Sequence, residues 1–152
     1  MIFELFEQIR EKLANAYGIT ISNGELTPSA DSPVKDIQYY ADQYNGIIHA
    51  APAVFVEIDR LDFSQQTKQT RSTPIHITLH VVTEAASESD NNTPDEAFRA
   101  HEAIATKAQQ ALKDKTLLFE GGDTRPLRVK GRQFYARYQG WMVTLLELET
   151  KG

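Results

Sequence analysis

Thr73-Pro-Ile-His-Ile-Thr-Leu-His-Val-Val-Thr83 is the stretch of sequence around which the fold is organised. Apolar residues occupy every second position from Ile75 to Val81, and the polar residues between them include His76 and His80. Alternation with a period of two is typical of a β-strand that packs on one face and meets water on the other. The sequence therefore predicts a central strand here, with the core of the protein on its aliphatic side.

Strand patterns also occur on both sides of the central stretch, where β-branched and aromatic residues are enriched. Gly140 lies inside the last of these segments and is expected to mark a bulge or bend. The additional predicted strands are Ile19–Ile21, Pro52–Leu61 and Arg132–Leu148.

Two helices are predicted to accompany these strands. Residues 2–17 place apolar side chains at three- and four-residue spacings, and Gly18 is a plausible end of that helix. Thr93-Pro-Asp-Glu96 has the form of a capping box with proline at the first helical position, so it predicts the start of the second helix. The apolar face from Ala97 to Leu112 includes small residues that allow close packing on the sheet.

The segment between the first helix and Pro52 is rich in turn-forming residues and tyrosine. Ser22–Pro33 contains Asn-Gly and two prolines, which predicts a loop. Val34–Asn45 includes Tyr39, Tyr40 and Tyr44 and predicts a short helix or an irregular segment. The tyrosines are interpreted either as interface anchors or as half-buried side chains whose hydroxyls stay in water.

Length and composition restrict the class of protein. The chain has 152 residues, of which 41% are hydrophobic and 24% charged, as expected for one globular domain. The net charge of −5 disfavours a general nucleic-acid binder. The lack of cysteine excludes disulfides and thiolate metal sites. Without a secretory signal or an apolar run of about 20 residues, the protein is expected to be soluble, cytoplasmic and away from membranes.

No metal site or catalytic motif is evident. His76 and His80 share a strand face but would lie roughly 13 Å apart, too far to ligate one metal. His101-Glu102 lacks the second histidine of a His-Glu-x-x-His motif because Ala105 occupies that position. The chain also lacks a Gly-x-Ser-x-Gly elbow and a phosphate-binding loop.

Other polar residues give little evidence for a catalytic or ligand-binding site. Glu57 and Asp59 share a strand face near Asp62, but acidic residues on an exposed face are usually solvated. A small enzyme or ligand-binding domain would need a pocket into which His49, His76 or His80 converges. The sequence therefore predicts a protein without enzymatic activity and without a cofactor.

A long polar segment precedes the central strand. Ser64–Thr73 lacks glycine, and it lacks the Asn-Gly or Asp-Gly pair favoured in a two-residue turn. The segment is predicted to form the end of a long β-hairpin arm, with a plain surface loop as the alternative.

A basic and aromatic stretch precedes the C-terminal strand. No carboxylate occurs from Thr124 to Leu146. Lys130-Gly131 followed by Phe134 half-matches the signature of RNA-binding sheets, which gives an alternative hypothesis of a single-stranded nucleic-acid-binding domain. In an acidic protein, contact with an acidic surface of a neighbouring subunit is favoured. The basic residues are Arg125, Arg128, Lys130, Arg132 and Arg137.

The order of the elements resembles that of the small tail-completion proteins of long-tailed bacteriophages and prophages, the tail-terminator and neck group. The resemblance implies an α+β fold, with a mainly antiparallel β-sheet of about four strands flanked by two helices and a long β-hairpin arm. It also implies a structural protein without an active site. The residues that carry it are Pro52-Ala-Val-Phe-Val-Glu-Ile58, the polar arm, Ile75–Glu84, the capped second helix and Arg132-Gln-Phe-Tyr135.

Proteins of this group often form rings that cap the tail tube or join it to the head. The resemblance implies a location in the host cytoplasm and the virion, with copies of the chain and other tail or neck proteins as partners. A closed ring joins two different surfaces of each subunit, here the basic stretch and the acidic N-terminal helix. The expected contact residues are Gln65, Gln66, Lys68 and Arg71 in the arm, and Arg125, Arg128, Lys130 and Arg132 in the basic stretch.

Overall fold

The computed structural model describes residues 1–46, 48, 50–61, 73–85 and 95–152. Over these ranges the chain forms two α-helices, nine β-strands and one short 3-10 helix. In chain order they are α1 (Ile2–Tyr17), β1 (Ile19–Ser22), β2 (Glu25–Pro28), β3 (Asp36–Tyr39), the 3-10 helix (Gln43–Asn45), β4 (Ala53–Leu61), β5 (Pro74–Glu84), α2 (Asp95–Leu112), β6 (Leu118–Phe119), β7 (Gly122–Asp123), β8 (Arg128–Tyr138) and β9 (Trp141–Lys151).

The main sheet has five strands in the order β3-β4-β5-β9-β8. β3 runs parallel to β4, and the other neighbours are antiparallel. The strand predicted from the central stretch is β5, which lies in the middle of the sheet. Two small hairpins, β1–β2 and β6–β7, stand apart from this sheet. The α+β class is confirmed, with five strands in place of about four.

The predicted strand Arg132–Leu148 is in fact two antiparallel strands, β8 and β9. They are joined by Gln139 and Gly140, whose φ angles are 50° and 87°. Two consecutive positive φ angles form the tight hairpin turn that matches the twist of the flanking strands. The prediction of a bulge or bend was wrong because glutamine is not a residue that usually signals such a turn.

The segment from Ser22 to Asn45 also contains more strand than predicted. Asn23-Gly24 is a two-residue turn that joins β1 to β2, so part of the predicted loop is a hairpin. In Val34–Asn45, the predicted helix is limited to the 3-10 turn, since Asp36–Tyr39 forms the parallel edge strand β3. Pairing with β4 is a long-range contact, which local helix patterns do not reveal.

Both predicted helices are present. α1 covers the predicted range, and α2 begins at Asp95 in the described part of the chain. Thr93 and Pro94 of the capping box lie outside the described residues. Several residues that the sequence suggested as contact or site residues also lie outside them, namely His49, Asp62, Gln65, Gln66, Lys68 and Arg71.

The main core lies between the two helices and one face of the sheet. α1 packs over β3 and β4, and α2 packs over β5 and β9. Tyr17 joins the helices, because its hydroxyl donates a hydrogen bond to the Ile104 carbonyl at 2.6 Å. The largest fully buried side chains include Leu5, Ile9, Leu13, Ile37, Ile75, Ile77, Leu79, Leu112 and Leu146.

A second, smaller apolar cluster lies on the opposite face of the sheet, which we call the outer face. The segment that contains the 3-10 helix crosses part of this face and contributes the buried Tyr44. The other buried members are Ala53, Phe55, Val82 and Val143, with Tyr40, Ile48, Tyr135, Trp141 and Leu145 partly buried beside them.

Where β3 ends, the Tyr39 side chain bonds to backbone groups along the side of β4. β3 pairs with β4 only as far as Val56. Beyond it, the Tyr39 hydroxyl accepts a hydrogen bond from the Ile58 N–H at 3.1 Å and donates one to the Ile58 carbonyl at 3.4 Å. A side chain therefore satisfies backbone groups that a neighbouring strand would otherwise pair with.

Candidate protein-contact surface

The basic residues predicted as contacts lie on β8 and on the segment that leads into it, at one edge of the main sheet. Within the described ranges β8 pairs only with β9, so its other side presents unpaired backbone groups. Arg125, Arg128 and Lys130 are all exposed at this edge. The structure thus brings three of the predicted contact residues together.

Glu149 on β9 partly neutralises these basic residues. It pairs with Arg128, and its Oε2 lies 3.6 Å from Lys130 Nζ and 3.9 Å from His76 Nδ1. The hydrogen bond from Arg128 is the main cause that holds the pKa of Glu149 below its ordinary value. Arg128 nevertheless keeps 73% of its side chain exposed, so it is available to a partner.

Arg132 differs from Arg125, Arg128 and Lys130 because it turns toward α2. Its guanidinium lies 3.3 Å from a carboxylate oxygen of Glu102 and 3.3 Å from the side-chain oxygen of Gln109. A longer contact of 3.4 Å reaches the Thr106 hydroxyl. These bonds attach the edge strand to the helix layer, so a structural role occupies this side chain.

Phe134 also faces α2. Its ring lies 4.8 Å from that of Phe98 and 5.5 Å from that of His101, measured between centroids. The nucleic-acid hypothesis needs Phe134 free to stack on a base and Arg132 free to contact a phosphate. Since both side chains are engaged with α2, the structure gives this alternative no support.

A hydrogen-bonded chain of three side chains crosses the outer face. His80 Nε2 lies 2.9 Å from a Glu57 carboxylate oxygen, and His80 Nδ1 lies 3.1 Å from the Tyr44 hydroxyl. Since a carboxylate only accepts, Nε2 carries the proton and Nδ1 accepts from Tyr44. The Tyr40 ring stacks on the His80 ring at 4.1 Å.

The pKa shifts of Tyr44 and His80 are those of structural rather than catalytic side chains. Burial lowers the pKa of His80, although the hydrogen bond with Glu57 opposes that shift. Burial also raises the pKa of Tyr44, so its hydroxyl stays protonated at neutral pH. An activated nucleophile would need the opposite shift. The adjoining cavity, between Tyr40 and Tyr138, has a volume of only about 120 Å³.

Sequence reasoning missed this link. Tyr44 and His80 are 36 residues apart and meet only because the tyrosine-rich segment folds back over the outer face. The alternation around His80 correctly placed it on the polar side of the strand, but nothing in the sequence identified its partner.

The two histidines of β5 do not share a site. His76 lies near Glu149 on β9, whereas His80 bonds Glu57 on β4. In residues 1–46, 48, 50–61, 73–85 and 95–152, no three histidine or acidic side chains are grouped as a metal site would require.

The opposite side of the molecule is acidic. Glu7, Arg10 and Glu11 on α1 line a groove of about 420 Å³ between this helix and β1. The segment of residues 18–39, which includes β1, β2 and β3, carries three acidic residues and one basic residue. β2 packs beside β3, so the small hairpin lies at the β3 end of the sheet.

Two large apolar side chains are exposed at separate places on this side of the molecule. Phe3 near the start of α1 is 61% exposed, and its ring lies 6.4 Å from that of Phe6. Leu118 on β6 is 63% exposed. Gln8 of α1 joins β6 to the helix, because its side-chain amide donates to the Leu118 carbonyl at 2.9 Å and accepts from the Leu118 N–H at 2.6 Å.

Neither α1 nor α2, the helices found in the described part of the chain, is long and apolar enough to cross a membrane.

The fold is similar to one found in a virus-like particle. No protein-family model matches the chain, and no curated protein matches it significantly. A chain in the solved structure described as "Virion of native gene transfer agent (GTA) particle" superimposes with a TM-score of 0.58 at 13% sequence identity. The match covers 99% of this chain and 95% of that one. At this identity the likeness demonstrates a shared fold.

Proposed function

We propose that this chain is a structural component of a phage-like virion, a subunit of a tail-terminator or head-tail joining ring that acts through protein contacts. The observation that carries the proposal is the likeness to a chain of the gene transfer agent virion over nearly the full length of both chains. Fold alone does not determine function. The element order in the sequence leads independently to tail-completion proteins, and the exposed surfaces suit contact with partners.

The exposed side chains of Phe3 on α1 and Leu118 on β6 are candidate contacts of this kind. Large apolar side chains that stand in water on an ordered framework are typical of protein interaction sites. The second surface comprises Arg125, Arg128 and Lys130 at the β8 edge. A subunit between two different neighbours in a virion needs at least two such surfaces.

The arm residues remain part of the proposal. Gln65, Gln66, Lys68 and Arg71 lie between β4 and β5, where the tail-completion proteins have their extended hairpin. We assign them to contacts with neighbouring subunits or other tail proteins.

Action through contacts also fits the electrostatics of the outer face. The Tyr44–His80–Glu57 chain keeps its tyrosine protonated and its histidine neutral. Its groups are bonded to one another, and the small cavity beside them offers little space for a substrate.

The test is to remove the gene from a cell that makes the particles and to examine the products by electron microscopy and mass spectrometry. We expect tails of uncontrolled length or heads without tails, together with recovery when the wild-type gene is restored. A matched complementation uses Gln110→Ala, which alters only an exposed position on α2 and should restore normal particles.

Two results would contradict the proposal. One is normal particles from cells that lack the gene. The other is the absence of this chain from purified particles by mass spectrometry, at a depth that detects every other tail component.

A further inference from the structure

The two ends of the main sheet differ in both geometry and charge. At one end β8 is 11 residues long and has no strand on its outer side within the described ranges. At the other end β3 has only four residues and lies beside the β1–β2 hairpin. We call residues 124–152 the basic edge and residues 18–39 the acidic side.

The charge on these two regions is opposite in sign. The basic edge contains six basic and two acidic residues, whereas the acidic side contains one basic and three acidic residues. The basic edge is therefore net positive in a chain whose net charge is −5. This is the distribution expected of a subunit with two complementary ends.

A symmetrical contact between two basic edges is electrostatically unfavourable. In a two-fold interface the same surface of both molecules meets, so one net positive edge would lie against another. Like charges placed directly opposite each other across paired strands are destabilising. The long free strand β8 therefore needs a partner surface of different composition, and the acidic side of another copy supplies one.

We infer that copies of this chain join head to tail, with the basic edge of one copy docked on the acidic side of the next. The inference rests on the proposed function, because it names the partner at a contact surface of the same virion subunit. Arg125, Arg128 and Lys130 face Asp31 and Asp36 of the neighbouring copy. Such a contact joins two different surfaces, so repetition closes a ring or extends a helix.

Zero-length carbodiimide cross-linking of purified particles tests this pairing, because the reagent joins a lysine amine directly to a carboxylate. Within one copy, Lys130 on β8 and Asp36 on β3 are separated by four strand spacings, about 19 Å. A covalent link between them therefore reports two different copies. We expect links from Lys130 to Asp31 or Asp36, identified by mass spectrometry.

Charge reversal gives a second, independent test in solution. Arg125→Glu with Arg128→Glu reverses the basic edge, and Asp31→Lys with Asp36→Lys reverses the acidic side. Either pair alone should raise the concentration needed for self-association at low salt by at least about tenfold. The four substitutions together should restore it to within about threefold. Arg99→Glu with Lys107→Glu, on the exposed face of α2, is the matched control and should have no effect.

The outcomes separate this inference from the proposed function. If the chain is present in particles but the cross-links join other surfaces, the inference is overturned and the virion role stands. The same holds if reversal of the acidic side leaves self-association unchanged, or if the fourfold variant fails to recover. If the chain is absent from particles, the proposed function itself fails.

Discussion

His101 connects α2 to the sheet through two threonine hydroxyls. Its Nδ1 lies 2.8 Å from the Thr83 hydroxyl and its Nε2 lies 2.7 Å from the Thr144 hydroxyl. The side chain is fully buried, and burial, followed by the nearby charge of Arg132, lowers the pKa of His101 to about 4. The helical spacing places His101 on the apolar face of α2, but only the structure shows which strands it joins.

The depressed pKa of His101 makes stability depend on pH in a defined direction. The unfolded chain binds a proton at its ordinary pKa of 6.5, while the folded chain resists protonation until about pH 4. The free energy of unfolding should therefore fall as the pH drops from 6.5 toward 4, by about 2 kcal/mol between pH 7 and pH 5 from this residue. Urea unfolding across this range measures the slope.

The matched variant is His101→Gln, which keeps hydrogen-bonding capacity but does not titrate. Its slope between pH 7 and pH 5 should be shallower than that of the wild type, whatever its absolute stability. Gln110→Ala, on the exposed face of the same helix, should keep the wild-type slope. Equal slopes for His101→Gln and the wild type would contradict this account.

Tyr44 provides a residue-scale test of the structural link on the outer face. Tyr44→Phe keeps the ring in the apolar cluster and removes the hydrogen bond to His80, so the free energy of unfolding should fall by about 1 kcal/mol. Particle assembly should be unaffected at a temperature where the variant is folded. Tyr40→Phe loses only an exposed bond to Asp42 and should cost less than about 0.5 kcal/mol. Assembly lost with the fold intact would point to a functional role for the hydroxyl.

At the scale of elements, the turn between β8 and β9 determines the position of the basic residues. If β8 and β9 were one strand, Arg128 and Lys130 would not lie beside Glu149. The Gln139-Gly140 turn reverses the chain and makes β8 the edge. Gln139 adopts a left-handed backbone conformation, which glutamine tolerates less well than asparagine. The turn is therefore less favourable than an Asn-Gly turn.

Substitutions in this turn should change stability in opposite directions. Gln139→Asn should raise the free energy of unfolding by about 0.5–1 kcal/mol, because asparagine tolerates the left-handed region better. Gly140→Ala should lower it by about 1 kcal/mol through backbone strain, since no atom lies within 4 Å of the added methyl group. Gln139→Ala keeps the strain and should be nearly neutral. Chemical denaturation of the three variants checks the order, and a Gly140→Ala variant as stable as the wild type would be inconsistent with it.

For the whole molecule, the exposed side chains of Phe3 and Leu118 should matter for assembly rather than for folding. Phe3→Ser with Leu118→Ser removes apolar surface that is already in water, so the melting temperature should change by no more than a few degrees. Incorporation into particles should fall at least about tenfold if these side chains bind a tail or neck protein. Gln110→Ala, at an exposed site on α2, is the control. Normal incorporation of the double variant would remove Phe3 and Leu118 from the proposed contacts.

Much of the fold could be predicted because its main elements have strong local patterns. The alternation from Ile75 to Val81 identified the central strand, and the apolar spacing in residues 2–17 gave the limits of α1. Features that depend on long-range pairing could not be predicted in this way. β3 exists because it pairs with β4, and Arg132 bonds α2 across 30 residues of sequence. The sequence identified the charged candidate contact residues, but it did not show which of them bond to other side chains of the same chain.

The Tyr39 hydroxyl on the backbone of Ile58 has a consequence for aggregation. Exposed strand backbones can recruit further chains into fibrils. Because Tyr39 occupies the backbone hydrogen-bonding groups of Ile58, a strand of another molecule cannot pair with β4 at that position.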